Sequence, residues 1–208
     1  MNGTTTAQFI SAGIQLYPQC GYKQLSEDAL SRHLNTDPHA FHAFFESKDA
    51  FFKAMLVEYR ERALGRISFD FSHGISEIER LRQLVWRLAV SIRSNLPWMH
   101  RMLMDSEEGI EIVRHALRIQ NEIMALGLME VMRACSDNRQ ISEMELLNQY
   151  DFLQNAVFMP MILNTRYQVL GLLTDDIALK APELMTDAYI HQRIDWVLRA
   201  LYPQAYCA

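Results

Sequence analysis

The sequence predicts an all-α protein. Three observations support this prediction: half of the 208 residues are hydrophobic, Gly and Pro are sparse at 8 and 6 residues, and apolar residues recur at helical spacing. We expect about nine helices in two domains. The first is a tri-helical domain over residues 1–50, and the second is a larger helical domain over residues 51–208.

The first predicted helix carries one buried stripe near the N-terminus. Its apolar residues are Phe9, Ile10, Ala12, Gly13, Ile14, Leu16 and Tyr17. Thr5 or Thr6 is the expected N-cap. Pro18 lacks an amide hydrogen and argues against a long regular helix beyond Tyr17. Gly21 is suited to a left-handed turn where the chain leaves this helix.

The second predicted helix starts at Ser26, a natural N-cap. Glu27 and Asp28 follow in the first turn, where the helix dipole favours negative charge. The apolar pattern stops before Asn35, and Asn tolerates the left-handed backbone that a tight turn between two helices requires.

The third predicted helix runs from Pro38 to about Phe44, with Asp37 as its N-cap. It should bury Phe41 and Phe45. The side chains that it should present outward are His39, Ala40, His42 and Ala43. A tri-helical unit of this size near an N-terminus is the format of a helix-turn-helix domain.

A fourth helix should begin after Ser47, with Lys48 in its first turn, and continue to about residue 67. The later predicted segments are 76–95, 98–104, 108–135, 142–170 with a break or kink at Pro160, and 182–202, separated by breaks that include 69–74 and 136–138. Ser142 and Glu145 form an expected capping box.

The N-terminal pattern resembles the DNA-binding domain of the TetR family of transcriptional regulators. The residues that carry the resemblance are Ala12, Leu16, Tyr17, Gly21, Tyr22, Ser26, Leu30 and the run from Phe41 to Phe51. The rest of the chain resembles the family in helical character and length. The chain departs from the family's usual residues at Leu25, Asn35, Thr36 and His42, the last standing where a Tyr is usual.

The resemblance implies a homodimeric, ligand-responsive regulator that binds double-stranded operator DNA. Its expected effect on transcription is repression. The DNA-binding residues that it implies are Ser26, Thr36, Asp37, Pro38, His39, Ala40, His42 and Lys48. The last two long helices, at 142–170 and 183–202, would form the dimer interface. The interface residues expected there are Val157, Met161, Ile190, Ile194, Val197 and Leu201.

Methionine is concentrated in the middle of the chain, because nine of the 12 Met residues lie between Met99 and Met161. Met side chains adapt to irregular pockets, which suggests a site for a small apolar or amphipathic effector. The candidate pocket residues are Trp86, Trp98, Arg101, Met102, Gln120, Met124, Tyr150, Asn155 and Phe158. For any single residue, an apolar stripe at helical spacing is better explained by an ordinary core, whereas for the region as a whole the resemblance favours a pocket.

The charge pattern leaves an alternative function open. The chain has a formal net charge of −5, and residues 1–62 carry six Lys or Arg against seven Asp or Glu. DNA-binding domains commonly carry a basic surface. The chain could therefore be a helical small-molecule-binding or protein-interaction module that keeps the fold but has weak or lost DNA binding.

Other classes of function lack sequence support. Three scattered Cys residues form no metal-binding pattern, and we expect neither a metal nor a cofactor. No nucleophile elbow or phosphate-binding loop is present, so we do not expect an enzyme. The absence of a signal-peptide pattern and of a long apolar run favours a cytoplasmic protein without membrane contact.

Overall fold

The computed structural model describes residues 5–65, 74–136 and 141–206. Within these ranges the chain forms ten α-helices, three short 3-10 helices and no strand, which confirms the all-α prediction. The α-helices are α1 Thr6–Gln24, α2 Glu27–Leu34, α3 Lys48–Leu64, α4 Glu77–Ser94, α5 Leu96–Glu107, α6 Glu111–Ala134, α7 Glu143–Val157, α8 Met159–Val169, α9 Asp175–Lys180 and α10 Asp187–Leu201. The 3-10 helices are Pro38–Ala43, Ala181–Met185 and Pro203–Tyr206.

The chain divides into two compact units, each built from two segments. The N-terminal unit comprises Met1–Arg66 and Pro97–Gln120, and the C-terminal unit comprises Ile67–Leu96 and Asn121–Ala208. This division differs from the predicted boundary at residue 50. The reason is that α3 packs on α1, and Trp98 and Met102 of α5 join the same hydrophobic core.

Helix α1 is longer than the sequence predicts. It starts with a capping box between Thr5 and Gln8, which confirms the predicted N-cap. It continues past Pro18 to Gln24, so the expected end near Tyr17 is wrong. Gly21 has a positive φ of 68°, as predicted, but it interrupts the helix instead of ending it.

The turn between the second and third helices follows the predicted chemistry. Ser26 accepts a hydrogen bond from the Ala29 amide at 3.1 Å, and Asn35 has the expected left-handed backbone, with φ of 52°. Asp37 accepts from the His39 amide at 2.8 Å. The segment that follows, hereafter the 38–43 helix, is a 3-10 helix and not an α-helix, a geometry common in such short pieces.

The C-terminal unit is built around α4, α7 and α10, which pack on one another. Ser76 and Ser142 cap α4 and α7 as predicted, and the expected break near Pro160 separates α7 from α8. The last long helix begins at Asp187, later than expected, because a 3-10 helix and the extended backbone of Thr186 precede it. The predicted breaks at 69–74 and 136–138 lie almost wholly outside the described residues.

No helix in the described ranges combines the length and the apolar character that a membrane crossing requires.

Candidate functional sites

The 38–43 helix is held in place by an aromatic cluster. The ring of Phe41 is fully buried, and its centroid lies 5.6 Å from those of Phe9 and Phe51 and 5.2 Å from that of Phe45. These rings come from α1, from α3 and from the segment that joins the 38–43 helix to α3. The cluster therefore fixes the inner face of the 38–43 helix, and its outer face is free to contact a ligand.

His39 and His42 are the exposed polar side chains of this outer face. A 3-10 helix has three residues per turn, so these two residues lie one above the other. The Nε2 atom of His42 lies 2.9 Å from Oε2 of Glu27, at the start of α2. This pair links the two helices of the motif and engages one of the two imidazole nitrogens.

Lys48 is anchored within the N-terminal unit. Its Nζ donates to the carbonyl of Lys23 at 3.2 Å, near the end of α1, and lies 4.6 Å from the ring centroid of Tyr22. Burial lowers the pKa of Lys48. The hydroxyl of Tyr22 donates to Asp49 in a short hydrogen bond, and this bond, with burial, raises the pKa of Tyr22 to about 12.

The remaining predicted DNA-contact residues lie beside these side chains. Ser26 and Thr36 are half-buried, and the carboxylate of Asp37 caps its own helix instead of projecting freely. Pro38 is exposed and Ala40 is half-buried. The structure therefore brings the eight predicted residues together around α2, the 38–43 helix and the start of α3. Four of them already make side-chain contacts inside the unit, namely Ser26, Asp37, His42 and Lys48.

A buried carboxylate, that of Asp105, fixes α1, the first helix of the N-terminal unit. Asp105 of α5 is fully buried and accepts hydrogen bonds from the Tyr17 hydroxyl and the Tyr22 amide, both at 2.8 Å. The guanidinium of Arg101 lies 2.5 Å from the same carboxylate. Burial and the bond to Asp105 raise the pKa of Tyr17. A side chain at Gly21 would overlap the guanidinium of Arg101, so Gly is required there by space as well as by its positive φ.

A cavity of about 560 Å³ opens between α3 and α6 within the N-terminal unit. This volume lies in the range of small-molecule sites. Its lining residues come from α3, α6 and one position of α5. The apolar part of the wall is formed by Leu56, Val57, Met102, Ile112, Ala116 and Ile119, and charged side chains of α3 and α6 complete it.

Two of the nine predicted pocket residues, Met102 and Gln120, line this cavity. Trp98 and Arg101 belong to the same unit but serve other contacts. The indole of Trp98 stacks on Tyr59 with centroids 3.8 Å apart, and Arg101 pairs with the buried Asp105.

The other five predicted pocket residues belong to the C-terminal unit. Trp86 stacks on His191 with centroids 3.9 Å apart, and the Tyr150 hydroxyl donates to Gln154 at 2.7 Å. Met124 and Phe158 are buried, and Asn155 is exposed and bonded to Asp151.

Sequence reasoning missed the basic residues that line the cavity, Lys53, Arg60 and His115, and its two acids, Asp49 and Glu111. No sequence signal marks them, because each is a residue type common on a solvated helix face.

The predicted dimer residues form the core of the C-terminal unit. Val157, Met161, Ile190 and Ile194 are fully buried, Val197 is nearly so, and Leu201 is half-buried. The four fully buried side chains pack within one chain, whereas Val197 and Leu201 keep some exposure, and the dimer interface itself stays a prediction. The exposed apolar side chains of the same helices include Phe152 of α7 and Trp196 of α10, 47% and 62% exposed.

Phe152 and Trp196 lie together. With Ala156, Arg193 and Val197 they line a shallow depression of about 290 Å³ on the α7–α10 pair. The Nε atom of Arg193 is buried without a hydrogen-bond partner among the described residues, and burial lowers the pKa of this residue.

Among the described residues, no group of three or more His, Cys, Asp and Glu side chains could hold a metal ion. Comparisons with models of protein families and with curated proteins found no match.

Solved structures resemble the chain over almost its whole length. A TetR-family transcriptional regulator from Mesorhizobium loti has a TM-score of 0.68 at 14% identity, with 97% of this chain and 98% of that chain covered. The flavonoid-responsive regulator FrrA has a TM-score of 0.66 at 20% identity, covering 96% and 95%. The regulator FadR from Bacillus subtilis, solved with stearoyl-CoA, has a TM-score of 0.60 at 11% identity, covering 88% and 98%. The chain thus has the fold of TetR-family transcriptional regulators, as its N-terminal pattern predicts.

Proposed function

We propose that this protein is a ligand-responsive transcriptional regulator that binds operator DNA as a homodimer and represses its target. The observation that carries the proposal is the 38–43 helix, whose buried Phe41 fixes it to the unit while His39 and His42 face outward. A short helix held rigidly on one side and exposed on the other is the arrangement that presents side chains to a major groove. The regulators with the same fold support this proposal.

The cavity between α3 and α6 suits an effector site. Its α3 wall belongs to the helix that also carries Phe51, and the ring of Phe51 packs on Phe41 and Phe45. A ligand that moves α3 would therefore disturb the cluster that holds the 38–43 helix. Such a ligand changes DNA affinity only if it binds the two conformations with different affinities. FrrA responds to flavonoids and FadR was solved with stearoyl-CoA, which supports a small organic effector here.

The exposed apolar face of α7 and α10 suits the dimer contact. Phe152 and Trp196 are large, exposed and adjacent, and aromatic residues are enriched at the centres of protein interfaces. The resemblance to the TetR family supports a dimer interface on the last two long helices. Two copies would present two 38–43 helices to a two-fold operator.

The test is fluorescence anisotropy of labelled duplexes from the region around the protein's own gene, at two salt concentrations. We expect saturable binding that prefers some duplexes and weakens with salt. The double variant His39→Ala, His42→Ala should lose about 1–3 kcal/mol of binding free energy. Arg62→Ala, at the exposed end of α3, is the control and should bind like the unchanged protein. Absence of saturable binding at low salt, with or without candidate effectors, would contradict the proposal.

A second candidate function follows from the contacts of the same surface. His42 is paired with Glu27 and Lys48 is bonded to the carbonyl of Lys23, so two basic side chains of the motif already have partners inside the unit. A module that has lost DNA binding but still binds a ligand in the α3–α6 cavity would show this pattern. Ligand binding by calorimetry together with no saturable DNA binding would favour this alternative.

A further inference from the structure

The cavity between α3 and α6 is lined by both apolar and charged side chains. Leu56 and Met102 are buried there, and Ile112, Ala116 and Ile119 are half-buried or partly exposed. An apolar surface of this kind favours a ligand with a hydrocarbon or aromatic body. The charged residues on the walls decide which end group that body should carry.

The two acidic side chains of the cavity already have partners on the protein. Asp49 accepts a short hydrogen bond from the Tyr22 hydroxyl, and Glu111 accepts from the guanidinium of Arg114 at 2.6 Å. These carboxylates therefore have less need of a cation from the ligand.

The basic side chains of the cavity have fewer partners on the protein. Within residues 5–65, 74–136 and 141–206, neither Lys53 nor His115 has a hydrogen bond or ion pair with another side chain. Arg60 is half-buried and approaches Glu61 at 3.9 Å, a long distance for an ion pair. Three groups able to carry positive charge thus line the cavity with donors to spare, which favours an anionic end group on the ligand.

Gln120 supplies an independent observation. It lines the cavity and is only 8% exposed, yet its side-chain amide has no hydrogen bond among the residues that the structure describes. The amide nitrogen and oxygen of Gln120 are not among the buried side-chain atoms without a partner in the described residues, so they reach the open space of the cavity and are accessible to a polar group there. Gln120 follows His115 by five residues, which places the two about 7.5 Å apart along the axis of α6.

We propose that this cavity binds an amphipathic organic anion. Its carboxylate or equivalent anionic group lies near Lys53, Arg60 and His115, its apolar body lies against Leu56 and Met102, and a second polar group bonds to Gln120. The inference names the chemistry of the effector, and only its regulatory consequence rests on the proposed function.

Isothermal titration calorimetry of the full chain, without DNA, tests the charge preference. The probes are decanoate, its ω-hydroxy derivative, decanol and decyltrimethylammonium, each below its micelle concentration. Decanoate should bind at least several-fold more tightly than decanol and decyltrimethylammonium. Equal or tighter binding of the cationic probe, or no binding by any probe, would overturn the inference.

Variants then locate the two polar ends. Lys53→Gln and His115→Gln should each weaken the binding of decanoate by about threefold to fivefold, as expected for the loss of a partly exposed contact with an anion. Arg118→Gln is the control: it also removes a positive charge from α6, but Arg118 does not line the cavity. This variant should bind decanoate as tightly as the unchanged protein. Equal effects of Lys53→Gln, His115→Gln and Arg118→Gln would overturn the placement of the anionic end.

Gln120→Leu should affect the binding of decanoate and of its ω-hydroxy derivative differently. The substitution should weaken the binding of the ω-hydroxy derivative by about threefold to tenfold. It should leave the binding of decanoate unchanged or tighter, because only the hydroxyl bonds to Gln120. An equal effect on both acids would overturn the role of Gln120. The measurement is independent of the proposed regulation. A protein that binds DNA but prefers the cationic probe contradicts the ligand class alone, and one that binds decanoate but no DNA contradicts the regulator alone.

Discussion

The indole N–H of Trp98 donates to the carbonyl of Ile14 at 2.9 Å. Ile14 lies four residues before Pro18, so this is the carbonyl that would accept the amide hydrogen that proline lacks. The indole thus replaces the missing hydrogen bond, and α1 continues through Pro18 instead of ending there. Stacking on Tyr59 and contact with Tyr17 hold the indole in place.

The Trp98–Ile14 hydrogen bond can be tested with Trp98→Phe. Phenylalanine keeps an aromatic ring but leaves the carbonyl without a donor, which should cost about 1–3 kcal/mol of unfolding free energy beyond the smaller ring's lost contacts. The same substitution in a Pro18→Ala background should cost less, because the introduced alanine restores the helical amide. Urea denaturation of the four proteins measures the coupling. Equal costs in both backgrounds would contradict this explanation of α1.

Asp105→Asn should strongly destabilise the N-terminal unit. Asp105 and Arg101 side chains are 1% and 16% exposed, so neutralising the acid leaves a largely buried guanidinium without its main partner. The expected loss is about 3–5 kcal/mol. Glu108→Gln is the matched control, because Glu108 lies 3.4 Å from the same guanidinium but is more exposed, and it should cost less than about 1 kcal/mol. Thermal denaturation of both variants compares them, and similar losses would argue against a supporting role for Asp105.

Glu27→Gln should increase DNA affinity. The substitution removes the carboxylate that pairs with His42 and reduces the negative charge beside the 38–43 helix. We expect a gain of about threefold to tenfold at low salt that shrinks as salt is added. Glu58→Gln is the control. Glu58 pairs with Arg62 in the second half of α3, so this variant loses a paired carboxylate that does not contact the 38–43 helix. Anisotropy titrations decide the matter, and equal affinities for the two variants would mean that the pair does not limit DNA binding.

Trp196→Glu should dissociate the dimer with little effect on the fold of the chain. Trp196 is 62% exposed within one chain, so the substitution adds a charge to the proposed interface without removing a core side chain. Sedimentation velocity should report a monomer for this variant and a dimer for the unchanged protein. Leu179→Glu changes a more exposed apolar residue of α9 and should remain a dimer. A Trp196→Glu dimer of unchanged affinity would place the interface elsewhere.

Local backbone chemistry could be predicted from the sequence. Ser26, Ser47, Ser76 and Ser142 each accept a hydrogen bond from the amide three residues later, as capping predicts. Asn35 takes the left-handed backbone that the turn requires. These features depend on neighbouring residues only, so one sequence is enough to find them.

Contacts between distant segments could not be predicted in the same way. Trp98 and Ile14 are 84 residues apart, and no local pattern connects them. An amphipathic stripe shows which face of a helix is buried, but it does not show whether the covering surface belongs to the same chain. Ile190 and Ile194 were therefore expected at a dimer interface, and the structure packs them inside one chain. The basic residues at the cavity, Lys53 and His115, become a candidate site only when α3 and α6 come together.

We propose that a ligand in the α3–α6 cavity controls DNA binding. The direct test is an anisotropy titration of the operator at fixed salt, with the protein free and with it saturated by a ligand whose binding calorimetry has established. We expect the DNA dissociation constant to change by about fivefold to 150-fold, or about 1–3 kcal/mol of coupling. An unchanged dissociation constant with the cavity fully occupied would contradict the claim.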